Sequence, residues 1–210
     1  AVTDISQVRA DADVYILSVK DDALPVLIPQ LCRGREDKLF LHTAGSVSID
    51  VFQGMARHYG VFYPMQTFSR QKRVSFEEIP CFIEGSGEEE TAAIEALASQ
   101  LSHRVYRLSS EARKYLHLSA VFACNFVNHC YAISAELLEK HGIPFDVMLP
   151  LIDETAAKVH HMSPKDAQTG PAVRYDENVI RAQSQLLKNN PLVKDIYDRM
   201  SMNIHRLSEE

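Results

Sequence analysis

Apolar positions change their period near residue 109. Before that point, short runs of β-forming residues alternate with helical stretches; after it, the chain reads as helix throughout. Val14-Tyr-Ile-Leu-Ser-Val19 is a continuous apolar run, the pattern of a strand covered on both faces. Lys20-Asp21-Asp22 follows as a carboxylate-capped helix start, leading into an apolar helical stretch to Leu31. Leu39–His42 and Gly60–Tyr63 read as further strands. Cys81–Glu84 precedes a helix from Glu88 to Leu101, and Arg104–Leu108 is the last strand. Strands spaced by helices in this way imply βαβ units and a mainly parallel sheet.

Beyond Ser109 a long helix occupies Tyr115–Leu138 and stops at His141-Gly142, with the glycine in the C′ position and Pro144 beyond it. A second helix spans Phe145–His161, Thr169-Gly170-Pro171 breaks the chain, and two more helices cover 175–188 and 191–206. The expected fold class is therefore α/β: a mainly parallel sheet in residues 1–108. An all-α C-terminal domain of residues 109–210, built on the long helix, completes it.

That helix carries one lane of polar side chains. At about 100° per residue, Lys114, His117, Cys124, Asn125 and Asn128 fall within one quadrant of the wheel, with His129 at its edge. The opposite arc holds Phe122, Phe126, Val127, Cys130 and Ile133. So apolar a helix is expected to be deeply buried, where an unpartnered amide or imidazole costs a few kcal/mol. The lane therefore reads as the wall of a site.

Composition narrows the classes of partner. The 210 residues carry 22 basic and 28 acidic side chains, a formal net charge of −6, so a phosphate-backbone binder is not expected. Four cysteines without a CxxC pair fit a reduced, cytoplasmic setting. The start at Ala1 lacks the basic and apolar regions of a signal peptide. The asparagines and histidines inside the long helix argue against a membrane span. Nine histidines raise the question of a metal, but no HxxxH or HExxH pair lies on a helix, so none is expected. A thiol mechanism through Cys124 is disfavoured by its distance along the helix from His117.

Ligands of open α/β sheets bind at the carboxyl ends of the strands. The loops expected there are 18–22, 42–46 and 64–67, which bring Ser18, Val19, Lys20, Asp21, His42, Thr43, Gly45, Ser46 and Gln66 to one edge. His42 either meets a ligand or caps the turn after its strand. Lys20 and Asp21 either meet a ligand or cap the helix that follows. Tyr63-Pro64-Met65-Gln66 either shapes a substrate pocket or turns the chain, and Arg174 beside the Thr169-Gly170-Pro171 break reads mainly as turn chemistry.

Ala12–Asp21, Leu41–Gly45, Tyr63–Phe68, Leu116–Asn125 and Gln168–Pro171 also carry a resemblance. In that order they are similar to the Rossmann-like family with a C-terminal helical domain of unknown function, DUF2520, whose members are labelled NADP oxidoreductases. The wider superfamily resembled holds 6-phosphogluconate, 3-hydroxyisobutyrate and ketopantoate dehydrogenases and pyrroline-5-carboxylate reductase. The resemblance implies NADP (or NAD) as cofactor and hydride transfer with a small carbonyl, imine or hydroxy acid in an interdomain cleft. It further implies a homodimer through the apolar arc and the terminal helices. In such relatives a lysine and an asparagine on the long helix bind and protonate the substrate oxygen. Here His117 stands near the lysine's place and Asn125 two turns on, with Lys114 as a carboxylate attractor; the histidine-for-lysine departure bears on the reaction itself.

The resemblance thus implies catalytic roles for His117, Asn125 and Lys114, and cofactor contacts for Ser18, Val19, Lys20, Asp21, Thr43 and Gly45. His42, Ser46, Gln66 and Asn128 would meet substrate. The alternative for His117 is a core histidine bonded to a backbone carbonyl, and for the whole protein a non-catalytic dinucleotide or metabolite sensor. No G-x-G-x-x-G occurs: Gly85-Ser-Gly87 precedes a helix but lacks the third glycine. The family layout implies a partial Rossmann-type sheet here, the chain opening at the approach to the fourth strand: either it is a fragment lacking the N-terminal glycine-rich part, the favoured reading, or the protein has lost its pyrophosphate cradle.

Overall fold

The computed structural model describes residues 4–69 and 71–209. Five strands form one sheet in the order β1 (Val14–Leu17), β2 (Leu39–His42), β3 (His58–Pro64), β4 (Cys81–Gly85) and β5 (Val105–Arg107). β1, β2 and β3 are mutually parallel, so Leu17, His42 and Pro64 end at a common edge. β4 is antiparallel to β3, and β5 is parallel to β4.

β1 and β2 are joined through α1 (Leu24–Cys32), β4 and β5 through α2 (Glu88–Ser99). Two apolar clusters hold these pieces. Leu24, Ile28 and Cys32 of α1 pack with Tyr15, Leu17, Phe40 and Phe52 on one side. Ile94 and Ala98 of α2 pack with Leu41, Phe62, Cys81 and Ile83 on the other. Burial of these side chains contributes about 2 kcal/mol each and fixes the strand ends that carry the site.

Two expectations about burial do not hold. β1 was expected to be covered on both faces, but it alternates. Tyr15 and Leu17 are buried while Val14 and Ile16 stand exposed, because β1 is the end strand and one face has no cover among the described residues. Its following turn, Asp21–Ala23, is a 3-10 turn whose N-cap, Lys20, makes no side-chain cap bond. Asp21 serves instead as a tie, accepting a hydrogen bond from Ser46 Oγ of the next loop.

The long helix was expected to be buried, and it is not. It runs as α3 (Ser110–Ala120), a π-helical turn at Val121–Phe126, and α4 (Val127–Glu139). Tyr115, Leu118, Phe122 and Phe126 are each at least half exposed, and Phe122 and Phe126 meet edge to face at 5.0 Å between ring centres. The arc is therefore open among the described residues, where the apolar content predicts a buried face.

The chain divides into two compact units, Ala1–Val127 and Asn128–Glu210, so α3 and the π turn belong with the sheet. The second unit holds most of α4, a 3-10 turn at Phe145–Met148, α5 (Leu149–Lys158), α6 (Glu177–Leu186) and α7 (Pro191–Glu209). Asp176 caps α6 by accepting from Val179 N–H. Among the described residues, no helix is long and apolar enough to cross a membrane.

Candidate functional site

Three segments of the first unit converge at the carboxyl edge of β2 and β3. The loop after β2 is held close to the sheet: Thr43 N–H donates to Leu17 O at 3.2 Å, and Ala44 N–H donates to His42 Nδ1 at 3.2 Å. This brings Gly45 against the side chain of His117 on α3 and that of Tyr63 near the end of β3. A Cβ at position 45 would lie 2.5 Å from His117 Nδ1 and 3.0 Å from Tyr63 Cζ, so only glycine allows the approach. Tyr63 Oη and His117 Nδ1 are 3.1 Å apart, and the two rings meet edge on at 6.1 Å between centres.

Burial pushes the Tyr63 phenol above its ordinary range, the Arg113 charge partly opposing this. The hydroxyl therefore keeps its proton at neutral pH and is able to donate it to His117 Nδ1. A neutral His117 arranged in this way carries its own proton on Nε2, the nitrogen left to exchange a proton with a ligand.

His117 and Tyr63 open onto a cavity of about 620 Å³. Met65, Gln66, Thr67 and Phe68 form its wall on the β3 side. The helix side is formed by Leu116, Ser119, Ala120, Ala123, Cys124 and Asn125. The π turn matters here. Two α-helical turns take about seven residues, which would align Cys124 with His117 and leave Asn125 roughly 80° away. A π turn takes up about one residue more, which draws Asn125 onto the same lane.

The remaining residues named from sequence lie in different settings. Gln66 lines the cavity, and its Oε1 accepts from Thr67 N–H at 2.8 Å. Ser18, Val19 and Lys20 are exposed in the loop after β1, where the Asp21–Ser46 tie joins that loop to Gly45's. Thr43 is half-buried between them. Lys114 is exposed and does not line the cavity; Asn128 is exposed and falls in the second compact unit.

His42, at a strand end as read, has no exposed surface at all. Its ring stacks on Phe52 at 5.8 Å, and Nδ1 is occupied by Ala44 N–H. Burial and then the Arg113 charge push its pKa down to about 4, so it is a neutral core histidine that shapes the Gly45 loop from beneath. No group of three or more His, Cys, Asp or Glu able to hold a metal occurs among the described residues.

Sequence reasoning gave Tyr63 only a pocket-shaping role and missed Arg113 and Glu84. Arg113 is fully buried on α3 and donates to Glu84 Oε2 at 2.7 Å. A signal was present: an arginine four residues before His117 shares its helix face, where a solvated charge has no reason to be.

Solved structures resemble this chain over nearly its whole length. A Bacteroides fragilis protein named as a candidate NADP oxidoreductase is 55% identical, with a TM-score of 0.93 over 98% of this chain and 80% of its own. An imine reductase from Myxococcus stipitatus, in complex with NADP+, is 14% identical with a TM-score of 0.65, over 99% of this chain and 78% of its own. Pyrroline carboxylate reductase from Plasmodium falciparum, with NADP bound, is 9% identical with a TM-score of 0.58, over 99% and 81%. The last two share the fold alone. No curated protein matches the chain. Residues 79–204, from β4 through most of α7, match the family profile described as "Domain of unknown function (DUF2520)". Taken with the 55% identity across the sheet and the helices alike, this makes the chain a member of the DUF2520 family with a Rossmann-like sheet and a helical C-terminal region.

Proposed function

We propose that the protein is an NADP(H)-dependent oxidoreductase acting on a small carbonyl, imine or hydroxy-acid substrate held in the cavity beside His117. The observation that carries this is the convergence of Gly45, Tyr63 and His117 at the carboxyl ends of parallel strands, the place where α/β sheets of this type bind ligands. The names of the similar solved proteins support the same reading.

The residues present fit the nicotinamide side of a dinucleotide site. Gly45 admits close backbone approach, the loop after β1 offers Ser18, Val19, Lys20 and Asp21, and Thr43 lies between. The glycine-rich pyrophosphate turn has no counterpart in this sequence. NADPH, when bound, supplies the hydride. His117 exchanges the proton at Nε2 with the substrate oxygen or nitrogen, while Tyr63 holds Nδ1 and fixes the ring. Asn125 and Gln66 are placed to orient a polar substrate atom, and Met65, Phe68 and Leu116 exclude water around it. NAD replaces NADP in this scheme without change to these roles.

The exposed arc of Tyr115, Leu118, Phe122 and Phe126 supports a homodimer through the helical face, since soluble monomers rarely expose such a patch. Sedimentation of the purified protein against a Phe122→Glu variant tests it: the reading requires a dimer that the glutamate dissociates.

The test of function is an NADPH titration followed by fluorescence, then NADPH oxidation over a panel of cyclic imines, ketones and keto acids. Binding with oxidation that falls about 10²- to 10⁴-fold in His117→Ala supports the proposal. Binding without oxidation of any panel member favours a metabolite sensor, and no binding overturns both.

A further inference from the structure

We propose that Arg113 is a positioning residue for His117, holding the Gly45 loop and α3 in the one arrangement that lets histidine, tyrosine and glycine meet. The inference takes its functional meaning from the oxidoreductase reading, but its structural content stands apart from it.

Arg113 has 1% of its surface exposed. A buried cation is costly to desolvate, and an apolar side chain of similar size often serves stability as well or better. What the guanidinium provides is direction. Its Nη1 donates to Glu84 Oε2 at 2.7 Å, and its Nη2 donates to Val47 O and, at 3.1 Å, to Ser110 Oγ. Ser110 Oγ in turn donates to Glu84 Oε2 at 2.6 Å and accepts Ile49 N–H at 2.9 Å.

Three segments are joined by this network: the end of β4 through Glu84, the chain just past Gly45 through Val47 and Ile49, and the first turn of α3. Gly45 lies two residues before Val47, and His117 lies one helical turn after Arg113 on the same face. Both sides of the Gly45–His117 contact are therefore anchored to one side chain. The clearance at that contact is under 3 Å for an added carbon, so a small slip of the loop or the helix breaks it.

The charge has a second effect on the same groups. After burial, it is the largest influence keeping His42 neutral beneath the loop, and it counters the rise at Tyr63.

The experiment reads His117 directly, by ring ¹⁵N–¹H correlation spectra of the full chain without cofactor, assigned with His117→Ala. Wild type is expected to show one fixed tautomer, with Nδ1 the hydrogen-bonded nitrogen. In Arg113→Met, judged folded by circular dichroism, the shifts are expected to move towards an averaged imidazole, with Arg113→Lys falling between. Where turnover is measurable, kcat should drop about 10²-fold with KM changed far less, as expected for a misplaced reacting group.

An unchanged His117 spectrum in folded Arg113→Met overturns the proposal. If that variant does not fold, Glu84→Gln and Ser110→Ala decide: a displaced His117 signal in either supports it, and unchanged signals in both overturn it. A wild type that fails to oxidise NADPH refutes the oxidoreductase reading and leaves the spectroscopic test intact.

Discussion

His42 offers a quantitative test of how the Gly45 loop is built. The imidazole is fully buried, and its pKa lies at about 4 against 6.5 for the free group. Between these values the unfolded chain binds a proton that the native protein refuses, so stability is complete above pH 6.5 and falls as the pH drops towards 4. The whole shift corresponds to about 3 kcal/mol, of which about 2 kcal/mol is lost by pH 5. The perturbation is His42→Leu, which keeps the bulk and removes the titration. The Ala44 N–H loses its acceptor in that variant, a penalty that does not depend on pH.

Urea unfolding of both proteins at pH 7.5 and 5.0 isolates the histidine, because every other titrating group cancels in the double difference. Wild type should lose about 2 kcal/mol more than His42→Leu over that interval. Equal losses would refute the reasoning, since they would mean that the ring gains its proton as easily inside the fold as outside. The ring resonances of wild-type His42 give a direct check, remaining unshifted until the pH approaches 4.

Other consequences follow from the same geometry. Gly45→Ala should fold, because the His117 side chain is able to swing away, but the displaced imidazole then loses its place in the cavity as well as the Tyr63 bond, so activity should fall to nearly the extent of His117→Ala; ring ¹⁵N spectra and turnover read both effects. Tyr63→Phe removes one hydrogen bond to the imidazole, and a fall in kcat of roughly tenfold at constant NADPH affinity is expected in steady-state assays. Iodoacetamide should label Cys124 well before Cys32, which is buried and pushed up to about 11, and before buried Cys81; peptide mass spectrometry of a time course gives the order, and saturating substrate should slow Cys124 alone.

How far the site was legible in the sequence depends on whether a residue's role is local or shared. Strand and helix placement came from period and punctuation: the runs ending at His42 and Tyr63, the Glu88 helix and the Gly142 stop are all near-neighbour effects, and the structure has them within a few residues. The polar lane of the long helix was visible for the same reason, and His117 and Asn125 do line a common cavity. The reversal of β4 and the burial of His42 were not visible, because each is decided by what packs alongside. A histidine at a strand end reads the same whether Phe52 covers it or water does.

The amino-acid order by itself therefore determined the α/β class, the change to helix after Ser109, the position of the strand-end loops and the lane bearing His117, since all of these follow from side-chain period and backbone preference over a few residues. Tertiary structure alone decided that Gly45 is the contact point, that Tyr63 partners His117, and that Arg113 is a buried partner of Glu84 rather than a surface charge. The reason is physical: a 29-residue or 54-residue separation along the chain carries no information about which groups lose their water together, and it is that shared desolvation which sets the hydrogen bonds, the proton affinities and the reach of the site.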